Sequence, residues 1–531
     1  MTRKLEWGVA LAGTLVLVFL HVLLLQNAGA LWRDEVNSVN LASLPWPQFW
    51  QSLQWDSFPV LWFVLLRTWT AIGLGSTDMG LRALGFLLGV GVVAALWRNA
   101  RAFGIGPPLF SLALFGFCAA AVAYGDSVRA YGLGVLAGIM TFSLAWEFAE
   151  APTLQRLVVF GVAAVLSVHC LFYNSLLLLA ACAGGAAVAG RRRDWKTLLQ
   201  IGGVGATSAV SLLLYRETIR NQKAWNAIVQ WPIGPSWVWE KFVEATSSTW
   251  LFAHWVWVAF GLLAAIATVL FILPSARLPR RQRDLVLYSG TALAVGGSAY
   301  VLFLLKLSYF MQPWYFLSIL ALAACCFDGI LCVAARPGFR LARAAGAAGL
   351  MVLALPGLWG IVHERKTNLD LVAKYVGASV AKGDFIVVQP WQCGITFSRY
   401  YRGPADWVTV PPVSSHDLHR YDFLKEAMMS PRVMAPVQER LREVMVSGHR
   451  VWWVGELWVP PDGKAPPLMP PAPQASWGWE ENAHYQQWGM QLGYTLLQES
   501  ANAYSVSIPS DRPVSPFEDL PVVVLKRPGA R

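Results

Sequence analysis

The stretch WGVALAGTLVLVFLHVLLL at residues 7–25, continued by QNAGALWRDE at 26–35, decides how the rest of the chain is read. Residues 7–25 contain no Asp, Glu, Lys or Arg. As a helix at 1.5 Å per residue they reach about 28 Å, close to the ~30 Å hydrocarbon core of a bilayer. The basic MTRK in front and the AGA at Ala28–Ala30 resemble a signal peptide, but the apolar run is longer than a usual signal core. It reads as an uncleaved first helix, and on either reading the segment after Ala30 emerges on the outer side.

Runs of the same kind recur up to about residue 362 and then stop. The chain is 56% hydrophobic and 14% charged over 531 residues, with 27 tryptophans. A soluble chain carries roughly a quarter charged residues. The expected fold is therefore a polytopic α-helical membrane protein with about eleven transmembrane helices and a C-terminal extracytoplasmic α/β domain. Its spans are expected near 7–29, 81–97, 108–124, 130–147, 156–173, 174–190, 197–215, 251–273, 285–305, 314–333 and 342–361. The domains are expected at 1–361, with a first outer loop at 30–80, and at 362–531.

Cations orient this set. Arg3/Lys4, Arg98/Arg101, Arg156, Arg191–Arg193/Lys196, Arg277/Arg280/Arg281/Arg283 and Arg336/Arg340/Arg343 fall in alternate connections, the ones that the positive-inside rule places in the cytoplasm. The remaining connections, 30–80, 125–129, 216–250 and 306–313, and residues 362–531 then lie outside. The expected location is the cell inner membrane, with a cytoplasmic N-terminus and a periplasmic C-terminal domain. The net charge of +11 thus carries topology and argues against a nucleic-acid partner. Six of the seven cysteines lie in or beside apolar runs, with only Cys393 elsewhere, so neither a disulfide framework nor a metal-ligand spacing is expected.

Within the outer loop, LPWPQFWQSLQW and FPVLWFVLLRTWTAIG are aromatic and amphipathic, too interrupted to span, and read as interfacial helices. After residue 362 the pattern alternates. NLDLVAKYVGASVA and 434–447 read as helices, while DFIVVQP, VTVPP, HRVWWVGEL and VVVLKR read as strands. VPPDGKAPPLMPPAPQ reads as a loop. There is no Gly-rich phosphate loop, no internal repeat, and no Asp-x-Asp motif in a cytoplasmic loop.

Ionisable residues gather at the outer ends. Asp34 and Glu35 follow the first span, and Asp56 stands in WDSFP. A carboxylate at headgroup depth is partly desolvated, which raises its basicity and suits a general base. Asp34 could equally cap the next helical stretch. Asp126 and Arg129 sit at the mouth of the 108–124/130–147 hairpin, His169 and Tyr173 at another outer end, and Lys306 precedes LSYFMQPWYF. Cations at that depth beside a groove suit a phosphate-bearing lipid, and a guanidinium grips phosphate oxygens in pairs. A lone lysine or histidine at a span end also fits simple snorkelling or a local hydrogen bond. Trp32, Trp55, Trp62 and Trp69 read as an interfacial belt. Trp391, Tyr400, Tyr401, Trp452 and Trp453 fit strand cores first and a carbohydrate platform second.

These stretches together resemble the GT-C superfamily of membrane glycosyltransferases, in the bacterial branch of protein O-mannosyltransferases and lipid A aminoarabinose transferases. WRDEVNSVNLA is similar to that branch's Asp-Glu motif. WDSFPVLWFVLLRTWTAIGLGSTDMGLRALGFLLG, SVRAYGLGVLAG and QPWYFLSILALAA are similar to its later outer-face patterns. The resemblance implies a polyprenyl-phosphate-linked sugar as donor, a glycan, lipid or protein hydroxyl as acceptor, and inversion at the anomeric carbon. It makes Asp34 the base, with Glu35 orienting the site. Arg129 and Lys306 would hold the donor phosphate, and Asp56, Asp126, Tyr131, His169 and Tyr315 are possible substrate contacts. No cofactor and no metal ligand is assigned. The family's His-Pro-Pro pattern is replaced here by Ser57-Phe58-Pro59-Val60, and Trp314 stands where an arginine is common. Two other functions fit a polytopic chain: a transporter or flippase for a lipid-linked saccharide, and a non-catalytic component of polysaccharide assembly.

Overall fold

The computed structural model describes residues 2–226, 233–247, 249–272, 278–307, 310–333, 337–461, 463–472, 481–499 and 502–527. Arg277 and Arg336 of the expected cytoplasmic loops lie outside the described residues. The chain divides into two compact units. One comprises Met1–Asn27, Phe58–Glu217 and Pro232–His363, and the other Ala28–Ser57, Thr218–Trp231 and Glu364–Arg531.

The first unit is helical. Among the described residues, nine helices of 19 to 28 residues are long and apolar enough to cross a bilayer, from Thr2–Asn27 to Gly338–Val362. The first shows why such a sequence is stable there. Ala10, Gly13, Leu17, Leu20, His21 and Leu24 are buried along one helical stripe, while Leu11, Leu15 and Phe19 stay exposed on the other side. An apolar outer face costs nothing in lipid, and the stripe follows the helical period.

Two expected spans differ. Leu154–Cys170 stands where 156–173 is expected and is a shorter apolar helix. The 108–124 run is not one α-helix: a π-helical Ser111–Gly116 is followed by Ala119–Gly125, with Cys118 extended between them. Asp328 causes much of this. Its carboxylate accepts from the amides of Phe110 and Ser111, both at 3.0 Å, and from the Ser111 hydroxyl at 2.5 Å. Irregular backbone at membrane depth is tolerated only where protein covers it. Residues 107–120 are all buried. Val60–Ala71 has 12 residues, a length of about 18 Å, and is too short to span.

Helix ends that the cation pattern assigns to one side do meet on one side. Arg281 donates to the carbonyls of Phe103 (2.7 Å) and Ala102 (3.0 Å). Arg192 pairs with Asp284 at 2.7 Å and donates to the carbonyls of Ala149 and Glu150, each at 2.9 Å. The ends of Asp78–Phe103, Ala130–Glu150 and Asn174–Arg192 are thereby tied to the start of Arg280–Lys306.

The second unit holds a five-stranded sheet: β1 Phe385–Val388, β2 Asp406–Thr409, β3 Val451–Val454, β4 Asn502–Val506 and β5 Val522–Lys526, in the order β2-β1-β3-β5-β4. β1 is parallel to β2 and β3, whereas β5 is antiparallel to β3 and β4. Side chains alternate between two cores. Phe385, Val387, Val451 and Trp453 face one with Leu441, Trp488 and Leu492, while Ile386, Val388, Trp452 and Val454 face the other with Leu369, Val372 and Phe397. Covering both faces explains why FIVV and VWWV are continuous apolar runs rather than alternating ones. β4 is an exposed edge strand that the sequence reading does not contain.

Asp384, 2% exposed, locks the start of β1. It accepts from Ala381 N (3.0 Å), Arg450 N (2.9 Å), Arg450 Nε (3.0 Å) and Trp452 Nε1 (3.2 Å). Burial works to raise this carboxyl, but the amides of Ala381 and Arg450, then the Arg450 guanidinium and the Trp452 indole, outweigh it and hold the group below its usual range. Its stabilisation is complete above the ordinary carboxylate value and is lost as pH falls through the lowered one. Asp384→Asn is expected to destabilise this unit by about 2 kcal/mol near neutral pH and to flatten its acid limb, read by denaturant unfolding at pH 3 to 7.

Candidate functional site

The Asp-Glu motif forms the first turn of the helix Arg33–Ser43, with Trp32 as N-cap. Glu35 is fully buried, and its carboxylate accepts the Trp32 amide at 3.3 Å. That bond satisfies one of the amides that a helix start leaves open. The capping role weighed for Asp34 thus falls to its neighbour. The Asp34 side chain is 17% exposed, and its Oδ1 accepts from Arg33 Nε at 3.0 Å. Burial works against the Arg33 charge, yet Asp34, then Cys393, Tyr421 and Glu518, hold its pKa above the usual arginine value. The outcome is a half-buried carboxylate on a permanent cation, at the positive end of a helix.

Chain segments remote in sequence hold this turn within the second unit. Lys366 N donates to Ala28 O (2.9 Å), and Leu31 N donates to the Tyr400 hydroxyl (2.9 Å). Arg33 N lies 3.4 Å from Glu518 Oε2. His419 N donates to Asn37 Oδ1 at 2.8 Å, and Asn40 Nδ2 to Asp417 O at 2.8 Å. Asp56, 3% exposed, accepts from Ser38 Oγ (3.0 Å), Asn37 Nδ2 (3.2 Å) and the Ser57 amide (2.7 Å). Both its oxygens brace the loop, a structural task that the sequence reading left unassigned.

In the first unit the expected outer ends also gather. Asp126 Oδ2 lies 2.7 Å from His21 Nδ1, with the two residues 7% and 4% exposed. Gly85 and Gly89 make the room. A Cβ on Gly89 would fall 1.8 Å from Asp126 Oδ1, and one on Gly85 would fall 1.9 Å from Asp126 O. A cavity of ≈ 20 Å³ beside His21 and Gly125 has space for about one water. Three residues on, Arg129 is the N-cap of Ala130–Glu150, with its guanidinium 4.4 Å over the Phe58 ring. Phe58 packs edge-on against Tyr131 (5.1 Å), and Trp314 lies 4.8 Å from Tyr124 and 6.3 Å from Tyr131. Tyr315, 8% exposed, packs edge-on against Tyr173 at 5.5 Å. Asp126, Arg129 and Tyr131 therefore share one cluster with Trp314, and Tyr315 stands at its margin.

Two further expected residues have their own surroundings. His169 places Nδ1 2.6 Å from the Tyr215 hydroxyl and Nε2 3.1 Å from Ser211 Oγ, so both ring nitrogens are engaged locally. Lys306 is exposed at the C-terminal end of its helix. Trp391, Tyr401, Trp452 and Trp453 are all buried, which places them in the cores rather than on a carbohydrate platform. Among the described residues, no cluster of three or more His, Cys, Asp or Glu could hold a metal ion. His21, Arg33 and Glu518 belong to these arrangements without themselves forming a recognisable motif. His21 has one signal, a lone polar residue inside an apolar span, whereas Glu518 has none.

No protein-family model matches the chain, and no curated protein does. Among solved structures, ArnT from Cupriavidus metallidurans bound to undecaprenyl phosphate is similar over 98% of each chain, at 13% identity and a TM-score of 0.48. The same protein in the apo state gives 12% identity and a TM-score of 0.49 over 98% of this chain and 97% of that one. The oligosaccharyltransferase AglB from Archaeoglobus fulgidus, in complex with an inhibitory peptide and a dolichol-phosphate, gives 10% identity over 84% of this chain and 69% of its own, with a TM-score of 0.43. At these values the likeness decides neither family nor activity.

Proposed function

We propose that the chain is a polytopic inner-membrane glycosyltransferase of the GT-C type, which moves a sugar from a polyprenyl-phosphate carrier to an envelope glycan, lipid or protein hydroxyl on the periplasmic face. The observation that carries this reading is the Trp32–Glu35 turn. It follows the first span directly, commits Glu35 to the helix cap, and leaves Asp34 as a partly exposed carboxylate for proton transfer.

In this reaction the acceptor oxygen attacks the anomeric carbon from the face opposite the phosphate. The C–O bond to phosphate breaks, polyprenyl phosphate leaves with the electron pair, and the acceptor proton passes to Asp34. Inversion follows from the single displacement. Arg129 offsets the charge on the leaving phosphate, and Lys306 is the second cation for the lipid headgroup. Asp126 acts behind Arg129 by fixing the hairpin through His21. Tyr131 and Tyr315 shape the donor's surroundings. Electrostatic stabilisation of a leaving group in a partly dehydrated site is worth more than in water.

The test uses the full chain in liposomes with a polyprenyl-phosphate-linked sugar labelled in the sugar, and membrane extract from a strain lacking the chain as acceptor source. The expected result is label in the acceptor fraction and free polyprenyl phosphate in equal amount. Intact labelled lipid that only changes leaflet would mean transport.

A further inference from the structure

Glu518 is a buried carboxylate, 1% exposed, that none of the roles above uses. It reaches the Asp-Glu turn from 485 residues further along the chain. Its Oε1 accepts the Thr396 hydroxyl at 2.9 Å, and its Oε2 faces the Arg33 amide at 3.4 Å. Its own backbone is tied on both sides: the Glu518 amide donates to Ser515 O (3.1 Å), and Glu518 O accepts from Asn368 N (3.2 Å). A backbone-bonded segment of the C-terminal domain thus sets one carboxylate against the first amide of the helix that carries Asp34. Glu35 takes the Trp32 amide and Glu518 faces the Arg33 amide, so one cap is local and the other is lent by a remote segment.

We infer that Glu518 is a positioning residue for Asp34: it fixes the helix start and shares the Arg33 cation, so that Asp34 keeps its orientation and its basicity. The inference rests on the reading of Asp34 as the base. Asp34 accepts from the Arg33 side chain at 3.0 Å, whereas Glu518, which meets the Arg33 amide, and Glu481 act on that cation through its field. When Glu518 is ionised, Arg33 is divided among them and its pull on Asp34 weakens. When Glu518 is protonated, Arg33 falls to Asp34 and lowers its affinity for a proton.

The surroundings place this switch in a working range. Burial pushes the Glu518 carboxyl up to about 7, against the opposing pull of Arg33 and of the Thr367 and Thr396 hydroxyls. Cys393 also faces it, but burial, with Glu518 adding to it, holds that thiol well above its usual value and therefore neutral. Glu481 is likewise raised to about 7 by burial, with Tyr485 and Arg33 working against it. For Glu518 the sign matters for stability. A carboxyl raised from 4.5 to about 7 binds more protons folded than unfolded, so ionising it costs the folded state, fully above the higher value. An amide in its place avoids that cost.

The experiment places full-length wild type, Glu518→Gln, Thr396→Val and Asp34→Asn in membranes of a strain lacking the chain, which supply their own donor and acceptor. Transfer is followed by mass spectrometry from pH 5.5 to 8.5, and unfolding is followed in detergent at pH 8. Wild type is expected to slow as pH falls through about 7. Glu518→Gln is expected to lose that limb and to run at least tenfold slower at pH 8, with a melting temperature no lower than wild type. A merely structural Glu518 would lose stability and rate together, and that result overturns the inference. So does a Glu518→Gln enzyme with wild-type rate and pH profile. If Glu518→Gln does not fold, Thr396→Val decides: losing a donor to the carboxylate should move the limb to higher pH, and an unmoved limb overturns the inference. Asp34→Asn separates the two claims, because an active Asp34→Asn removes the base reading itself.

Discussion

Asp34→Asn should lower the transfer rate by roughly 10²- to 10⁴-fold, the range that a positioned general base supplies, while leaving the unfolding temperature nearly unchanged. The substitution keeps the shape of the side chain, and an amide oxygen can still accept from Arg33 Nε. What is lost is the ability to take a proton. The Arg33–Asp34 pair is largely buried, but the amide keeps the hydrogen bond from Arg33, so the stability cost should stay at about 1 kcal/mol. Stability and rate should therefore separate. Glu35→Ala makes the contrast. It removes the carboxylate that accepts the Trp32 amide, so about 1 kcal/mol of stability goes with it, and its rate should fall only as far as the turn is disordered. Initial rates and melting curves on the same preparations compare the two.

Gly89→Ala should damage the first unit more than its single methyl suggests. The new Cβ would stand 1.8 Å from Asp126 Oδ1 and 3.1 Å from His21 Cε1, so it cannot enter without displacing the buried pair. Overpacking alone costs about 1–3 kcal/mol, and separating a buried His–Asp pair adds to that. A melting temperature lower by several degrees in detergent is expected. Activity at permissive temperature should fall too, since Asp126 precedes Arg129 on the same turn. Gly8→Ala is the control: its Cβ meets nothing within 4 Å, and alanine is the better helix former. It should be neutral or mildly stabilising. Equal losses at the two positions would mean that the Gly89 notch does not hold Asp126.

Much of the architecture is legible in the sequence because its signals are local. An apolar run long enough to span needs no tertiary context, and FIVV and VWWV announce strands covered on both faces. The break at Ser111–Gly116 is different, since it depends on Asp328, 217 residues away from Ser111. β4 escapes reading because NAYSV is an exposed edge strand with no buried face to impose a pattern. The site divides in the same way. Asp34 and Arg129 stand in recognisable contexts, whereas Glu518 becomes visible only once the chain returns to the turn that carries Asp34. Glu35 and Asp56 read as site residues in sequence, and in the fold each also accepts neighbouring amides, a local task that sequence patterns do not display. His169 follows its ordinary physical role, engaged by Tyr215 and Ser211 at the end of its helix.

The proposed function requires that this chain adds a sugar and uses Asp34 to do so. Mass spectrometry of envelope glycolipids and glycoproteins from a strain lacking the chain, complemented with wild type or Asp34→Asn, tests it most directly. One glycan is expected to be short by a single sugar in the deletion, restored by wild type and left short by Asp34→Asn although the variant reaches the membrane at wild-type level. Full restoration by Asp34→Asn would contradict it and leave transport or assembly as the function.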